Sequence, residues 1–129
     1  MRILLLAGAL GLAGTAQAVQ PAALLDGYQV EARRADAGFS ASAARGERFF
    51  NSPHGNEWSC ASCHGNPPTG VGRHAKTGKS IAPLAPAANA ERFADAAKVE
   101  KWFRRNCNDV LGRACTPAEK ADVLSWLLK

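Results

Sequence analysis

Apolar residues recur at helical spacing in four stretches of the chain, and this pattern predicts an all-α fold. The stretches are residues 21–34, 42–50, 95–105 and 116–128. Pro21 suits a first helical turn, and Ser40 or Ser42, Asp95 and Thr116 can each accept a hydrogen bond from a backbone amide at a helix start. No stretch alternates apolar and polar residues as a strand would, and no internal repeat or nucleotide-binding glycine motif is present.

Glycine and proline residues interrupt the helical pattern over residues 51–89. This segment is predicted to be loop, broken only by a short helical turn near 58–64. Residues 81–86 are expected to be extended, because a residue before a proline is pushed out of the helical region. The glycine-rich part, 70–79, is expected to be a mobile loop.

The first 18 residues have the layout of a secretory signal peptide. Arg2 supplies a positive charge, an uncharged apolar run follows, and Ala16 and Ala18 fit a cleavage site. The run ending at Ala18 is shorter than the roughly 20 residues that cross a bilayer. We therefore predict a leader, residues 1–18, and one domain, residues 19–129, exported to the periplasm without a membrane anchor. Cysteines that lie close together in this oxidising compartment are expected to form disulfides.

The chain has four cysteines, and two of them lie in a Cys-x-x-Cys-His run, the signature of covalent haem attachment. One helical turn brings the sulfurs of Cys60 and Cys63 within reach of the haem vinyl groups, and the adjacent His64 becomes the proximal iron ligand. A redox-active Cys-x-x-Cys and half of a zinc site are the alternatives. A redox-active Cys-x-x-Cys is typical of a βαβ fold, and the sequence predicts no such unit. A four-cysteine zinc site would need a second closely spaced pair, and Cys107 and Cys115 are too far apart in sequence to form one. The sequence therefore predicts one haem c.

Cys107 and Cys115 remain, and in an oxidising compartment we expect them to form a disulfide. The bridge would close a short loop and is interpreted mainly as a structural link. A redox role beside the haem edge stays open as the alternative.

Methionine cannot be the sixth iron ligand, because the only methionine is Met1, within the predicted leader. Ordinary electron-carrying cytochromes c pair histidine with methionine. The remaining candidates are no ligand at all or one of five side chains: His54, His74, Lys76, Lys79 and Asn106. The two histidines are more readily interpreted as solvated loop residues, although a mobile 70–79 loop would let His74 reach the distal face. A lysine would first have to lose a proton.

Asn106 stands at the predicted end of the 95–105 helix, next to Cys107. A helix that ends at a disulfide would aim this side chain rigidly. An amide oxygen is a neutral, weak ligand that leaves the iron high-spin and is easily displaced. Asparagine is equally common as a helix C-cap, so the residues alone leave both interpretations open.

Five segments resemble the SHP-type cytochromes c (sphaeroides haem protein), and the resemblance extends in order over nearly all of residues 19–129. The segments are Thr77–Pro86, Val99–Trp102, Arg105–Asn108, Gly112–Pro117 and Ala121–Leu124. The resemblance implies a class I cytochrome c-like fold with an additional N-terminal helix. It also implies a high-spin haem whose sixth ligand, at the position of Asn106 here, moves away on reduction so that oxygen, nitric oxide or a similar diatomic molecule binds.

The same resemblance implies a dihaem cytochrome c as electron donor. The favoured function is thus a monohaem cytochrome with a displaceable distal ligand. One alternative is a simple low-spin electron-transfer cytochrome, with His74 as a possible ligand, and another is a thiol–disulfide oxidoreductase using Cys60 and Cys63. Whether bound oxygen is also reduced stays open, since no distal acid suited to cleaving an O–O bond is evident.

The net charge indicates which binding partners to expect. The formal charge is +5, and it falls to +4 when Arg2 is removed with the leader. Basic side chains gather around the predicted distal helix and disulfide loop: Lys98, Lys101, Arg104, Arg105 and Arg113. Such a face steers an acidic electron donor, but a solvated helix face, with one or two arginines on the haem propionates, explains it slightly better. The propionates offset half of the remaining charge, so nucleic-acid binding is not expected.

Overall fold

Five helices and one short hairpin make up the secondary structure of the computed structural model, which describes residues 17–129. They are α1 (Pro21–Ala32), α2 (Ala43–Asn51), α3 (Cys60–His64), β1 (Gly72–Arg73), β2 (Ser80–Ile81), α4 (Ala96–Leu111) and α5 (Pro117–Leu127). The predicted all-α class is confirmed. Residues 1–16, most of the predicted leader, lie outside the described residues. No helix between residues 17 and 129 has the length and apolar character to cross a membrane.

The helices begin where the sequence predicted. The side chain of Ser42 accepts a hydrogen bond at the start of α2, and that of Asp95 does so at the start of α4. At the start of α5, the Thr116 hydroxyl accepts from the amide of Glu119 (3.2 Å), while the Glu119 carboxylate accepts from the amide of Thr116 (2.8 Å). Such reciprocal bonds satisfy two donors that a helix end leaves unpaired.

Helix α4 is longer than predicted. It was expected to end near Arg105, but it continues to Leu111 and stops at Gly112, whose φ of 70° is the left-handed conformation that glycine tolerates best. Cys107 and Val110 are buried on the face that also carries Val99. Burial of these side chains carries the helix through residues 106–109, whose intrinsic helix propensity is low.

The segment predicted as a mobile loop is a hairpin, and that prediction is wrong. Strands β1 and β2 pair antiparallel, with Gly72 opposite Ile81. In the turn, the amide of His74 donates to the carbonyl of Lys79 (2.8 Å). A Cβ atom on Gly72 would overlap the Cys63 carbonyl, so the hairpin lies directly against α3. Two-residue strands are too short to show the alternation that predicts a strand.

The core forms where α1 and α2 pack against α5. Phe50 and Leu124 are almost completely buried, and the Phe50 ring lies 5.0 Å from that of Trp126. Gly46 allows the closest approach, because a Cβ atom there would overlap the backbone of Asp122 in α5. Because glycine has no side chain, α2 and α5 can pack at this short separation.

An ion pair between an exposed arginine and a buried aspartate holds the start of α2 against α5. Asp122 is 7 % exposed and accepts two hydrogen bonds from Arg45, at 2.7 Å from Nε and 2.8 Å from Nη2. Its Oδ1 also accepts from the amide of Ser42 at 2.7 Å. A carboxylate with this many donors is well compensated for its burial.

We expect Gly46→Ala to destabilise the protein, because one of the two helix backbones must move to make room for the new methyl group. The free energy of unfolding should fall by about 1–3 kcal/mol in urea titrations of the haem-loaded protein. Gly27→Ala is the matched control, since nothing lies within 4 Å of its Cβ position in α1, and it should raise stability by about 0.5–1 kcal/mol. Equal effects of the two variants would contradict the close-contact explanation.

Candidate haem site

The attachment turn is built by the residues around it. In α3, the Ser59 hydroxyl accepts from the amide of Ser62 (3.2 Å), and the Ser62 hydroxyl accepts from the amide of Ser59 (3.0 Å). This capping box stabilises a helix of only five residues. Because residues three and four apart share a helix face, Cys60, Cys63 and His64 project from the same side of this turn. Covalent attachment of a c-type haem needs two cysteine sulfurs to bond its vinyl groups and an imidazole to bind its iron.

The His64 ring is half-buried, and its buried nitrogen makes no hydrogen bond to the described residues. It packs against Phe50, with ring centroids 6.1 Å apart. Its Nδ1 is buried and has no hydrogen-bond partner among the described residues. Burial, assisted by the positive charge of Arg92, lowers the pKa of His64 to about 4. The imidazole is therefore neutral near pH 7, which is the form that binds a metal.

The other two histidines are occupied. The Nε2 of His54 bonds to the Phe49 carbonyl oxygen at 2.8 Å. The Nδ1 of His74 accepts from the amides of Lys76 (3.3 Å) and Thr77 (3.2 Å) inside the hairpin turn. Since this hairpin is packed against α3, His74 is not carried to the distal face by a mobile loop as the sequence allowed.

The two attachment cysteines have properties unlike those of a redox-active pair. They are not joined to each other by a disulfide. Burial, with a contribution from neighbouring Cys63, raises the pKa of the Cys60 thiol to about 11, whereas reactive thiols have lowered pKa values. Within residues 17–129, no three His, Cys, Asp or Glu side chains are grouped closely enough to hold a metal ion, which disfavours the zinc interpretation. The residues present therefore fit a covalently bound haem better than either alternative.

Asn106 lies inside α4 rather than at its end. The C-cap position belongs to Gly112, so the interpretation of Asn106 as a helix cap is wrong. Its side chain is half-buried. One turn further along, the Val110 carbonyl accepts from the Asn56 side chain at 2.9 Å. This contact brings the last turns of α4 next to the segment that leads into Cys60.

A disulfide anchors the turn of α4 that carries Asn106. The structure joins Cys107 to Cys115, with Cα atoms 5.6 Å apart and both residues buried. The bridge connects α4 to the residue just before the Thr116 cap of α5. The backbone of Asn106 is thereby held close to the start of α5.

A polar cluster that the sequence did not reveal ties the other half of α4 to α1 and α5. The Tyr28 hydroxyl donates to Glu100 (2.6 Å), and Lys120 Nζ donates to the same carboxylate (2.8 Å). The Tyr28 ring meets that of Phe103 edge to face at 5.9 Å, three residues before Asn106. Nothing local in the sequence indicates that Tyr28 has a partner 72 residues away.

Some side chains of the predicted basic cluster are engaged by other residues of the protein. Arg113 pairs with Glu119, with Nη2 2.7 Å from the carboxylate. The Arg105 guanidinium lies 5.2 Å from the centroid of the Trp102 ring. Arg92, which no motif singled out, donates to the Pro83 carbonyl (2.8 Å) and provides the positive charge near His64. Its relation to His64 depends on chain folding across many residues, which explains why the sequence did not reveal it.

A Cys-x-x-Cys-His turn in a five-helix fold, with a half-buried histidine whose Nδ1 has no partner among the described residues, defines the class of c-type cytochromes. A family model described as a domain of unknown function (DUF1924) matches residues 36–127. The cytochrome c-type protein SHP of Cereibacter sphaeroides is 47 % identical over 130 residues, covering 98 % of this chain and 96 % of that protein. The chain therefore belongs to this family, that of the SHP cytochromes, and is a monohaem cytochrome with its haem covalently bound.

Solved structures agree with this assignment. Oxidized SHP, described as an oxygen-binding cytochrome c, has 48 % identity and a TM-score of 0.74, covering 85 % of this chain and 96 % of that one. Oxidized cytochrome c'' of Methylophilus methylotrophus has 43 % identity and a TM-score of 0.76, covering 84 % and 93 %. A solution structure of cytochrome c'' addresses the structural basis of haem-ligand detachment in that protein. The fold implied by the resemblance is confirmed.

The Glu100 carboxylate, which joins α4 to α1 and α5, makes the stability of the fold depend on pH. Burial alone would raise its pKa, but the hydrogen bonds from Lys120 and Tyr28 outweigh burial and hold the pKa below its usual value. A carboxyl with a lowered pKa stabilises the fold above the pKa of the unfolded chain, about 4.3, and that contribution is lost as the pH falls through the folded-state pKa.

We therefore expect Glu100→Gln to be less stable than the wild type at pH 7, and the difference to shrink as the pH is lowered from about 5 toward 3. Urea denaturation of the haem-loaded protein across this range measures the effect. Glu57→Gln, at an exposed carboxylate, is the control and should follow the wild-type profile. A constant difference between Glu100→Gln and wild type at every pH would refute the assigned role.

Proposed function

We propose that this monohaem cytochrome is exported to the periplasm, carries a displaceable distal ligand and binds oxygen or another diatomic molecule on reduction. Cys60 and Cys63 hold the haem by thioethers, His64 is the proximal ligand and Asn106 the distal one. The haem supplies an iron that changes oxidation state and offers an axial position to a small molecule. Electrons arrive from a partner cytochrome, for which the family resemblance suggests a dihaem cytochrome c.

The position of Asn106 carries this proposal. It is half-buried within α4, and its possible role as a helix cap has gone to Gly112. The domain contains no methionine that could replace it, and the rings of His54 and His74 are engaged elsewhere. The oxygen binding named for SHP and the ligand detachment named for cytochrome c'' support an axial position that opens.

The surroundings of Asn106 suit a ligand that is released without rearranging the fold. Its backbone is restrained by the neighbouring Cys107–Cys115 bridge and by the Asn56 contact one turn later. Release is therefore a rotation of the side chain rather than a movement of α4. Because a neutral amide carries no proton to lose, its binding is set by the oxidation state of the iron and not by its own titration.

Asn106→Ala should remove the protein ligand from the ferric iron, and the ferric absorption spectrum should change accordingly. The ferrous variant should still bind carbon monoxide, because that form already has an open position. Asn108→Ala, at an exposed position of the same helix, is the matched control and should have the wild-type spectrum in both oxidation states. An unchanged ferric spectrum in Asn106→Ala would refute the ligand assignment.

The wild type itself distinguishes this function from a simple low-spin electron carrier. We expect carbon monoxide to shift the spectrum of the reduced protein. Sharp low-spin bands in both oxidation states, with no shift under carbon monoxide, would favour the electron carrier.

The leader and domain boundary form a separate part of the proposal. Expressed with a haem-attachment system in a Gram-negative host, the protein should be recovered from the periplasm as residues 19–129 plus one haem, with Val19 as its first residue. N-terminal sequencing and the intact mass measure this. Ala18→Arg is the control, because a bulky charged residue does not fit the cleavage site and should leave the leader attached. A wild-type protein retaining Met1 would contradict the predicted leader.

A further inference from the structure

We propose that the β1–β2 hairpin, residues 72–81, is the docking surface for an acidic electron-donor protein. The inference rests on the proposed function, in which electrons reach the haem from a partner. One electron leaves the donor, which is oxidised, and reduces the iron from ferric to ferrous, and no covalent bond forms or breaks. The acidic donor is a one-electron redox protein.

The hairpin lies against one of the two haem-attachment sulfurs. The amide of Ala75, at the tip of the hairpin, is 3.2 Å from Cys63 Sγ, and Ala75 itself is exposed. Gly72 contacts the Cys63 backbone so closely that any side chain would overlap it. A single backbone segment therefore separates an atom bonded to the haem from a protein bound at this surface.

The hairpin is positively charged and has no acidic neighbours along the chain. Arg73, Lys76 and Lys79 are exposed, and none of them forms an ion pair among the described residues. From residue 58 to residue 90 the sequence contains no Asp or Glu. Uncompensated charge of one sign attracts a partner of the opposite sign and raises the rate of encounter.

Several internal hydrogen bonds hold the turn of the hairpin. The His74 amide donates to the Lys79 carbonyl, the Gly78 amide donates to the His74 carbonyl, and the His74 ring accepts from two further amides of the turn. The Arg73 guanidinium donates to the Gly78 carbonyl at 3.0 Å. A preformed surface loses little conformational entropy on binding.

The exposed basic face of α4 is the competing surface, and it is less suitable. Its cations, Lys98, Lys101, Arg104 and Arg105, share the helix and its cap with two exposed carboxylates, Asp95 and Asp109. The Arg105 guanidinium is placed over the Trp102 ring. The net charge of this face is therefore smaller than a count of its lysines and arginines indicates.

Two charge-reversal variants with the same change in net charge separate the surfaces. Lys76→Glu/Lys79→Glu alters the hairpin, and Lys98→Glu/Lys101→Glu alters the α4 face. The probe is photoreduced flavodoxin, an acidic FMN protein, mixed anaerobically with the ferric haem-loaded protein while the rate of haem reduction is followed from 10 to 200 mM salt. At low salt the hairpin variant should be reduced at least about tenfold more slowly than wild type, with little salt dependence. The α4 variant should stay within about twofold of wild type.

An equal loss of rate in both variants, or a larger loss in the α4 variant, would overturn the proposal. The first result would mean that net charge alone governs the encounter, and the second would place docking on α4. Dithionite reduction and carbon monoxide binding are measured on the same samples. If the wild type does not bind carbon monoxide, the proposed function fails, whereas a failure of docking leaves carbon monoxide binding unchanged.

Zero-length cross-linking gives a readout that is independent of electron transfer. A carbodiimide should join flavodoxin carboxylates to Lys76 or Lys79 of the ferric wild-type protein at low salt, and 200 mM salt should suppress the product. Peptide mapping by mass spectrometry identifies the lysines. Cross-links found mainly at Lys98 and Lys101 would overturn the assignment to the hairpin.

Discussion

Gly46 lets the backbones of α2 and α5 approach each other closely, and the position of the haem-attachment turn depends on this contact. Phe50, one turn further along α2, fills the space against Trp126 and on its other side packs against the His64 ring. The ion pair between the buried Asp122 carboxylate and Arg45 holds the start of α2 against α5. The surroundings of His64, the proposed proximal ligand, are therefore set by the packing of α2 against α5.

The two proposed iron ligands are positioned in different ways. His64 belongs to a turn that its own neighbours build, through the Ser59–Ser62 capping box. Asn106 depends on long-range contacts: the disulfide at Cys107, the bond from Asn56 and the attachment of α4 to α1 and α5 through Glu100. The turn that carries His64 is thus built by local contacts, whereas the position of Asn106 depends on contacts between distant parts of the chain. An amide ligand presented by such a restrained helix can be released by side-chain rotation alone.

Acidic and basic side chains are distributed unevenly over the protein. The carboxylates Asp122, Glu100 and Glu119 are paired with cations that link helices or a helix end, so they contribute to structure. The segment from residue 58 to residue 90, which contains the attachment turn and the hairpin, carries cations and no carboxylates. Ion pairs therefore link the helices. The cations next to the attachment turn, Arg73, Lys76 and Lys79, form no ion pair among the described residues.

Local features of the sequence were sufficient for part of this description. The helix starts and the all-α class are encoded by residues within a few positions of one another, so they were predicted correctly. The proposed attachment motif is encoded just as locally. The family resemblance named Asn106, but the residues alone could not separate a ligand from a helix cap. The end of α4 was misplaced because burial of Cys107 and Val110, and not local propensity, extends the helix to Gly112.

Tertiary structure alone decided the rest. It showed that the segment containing His74 is a hairpin fixed against α3, since that depends on the close contact of Gly72 with Cys63. It also revealed the link from Tyr28 to Glu100, which joins residues 72 positions apart. Such contacts leave no periodic signal along a single sequence. The amino-acid sequence therefore determined which chemical groups are available to the haem, and the fold decided which of them are free to serve it.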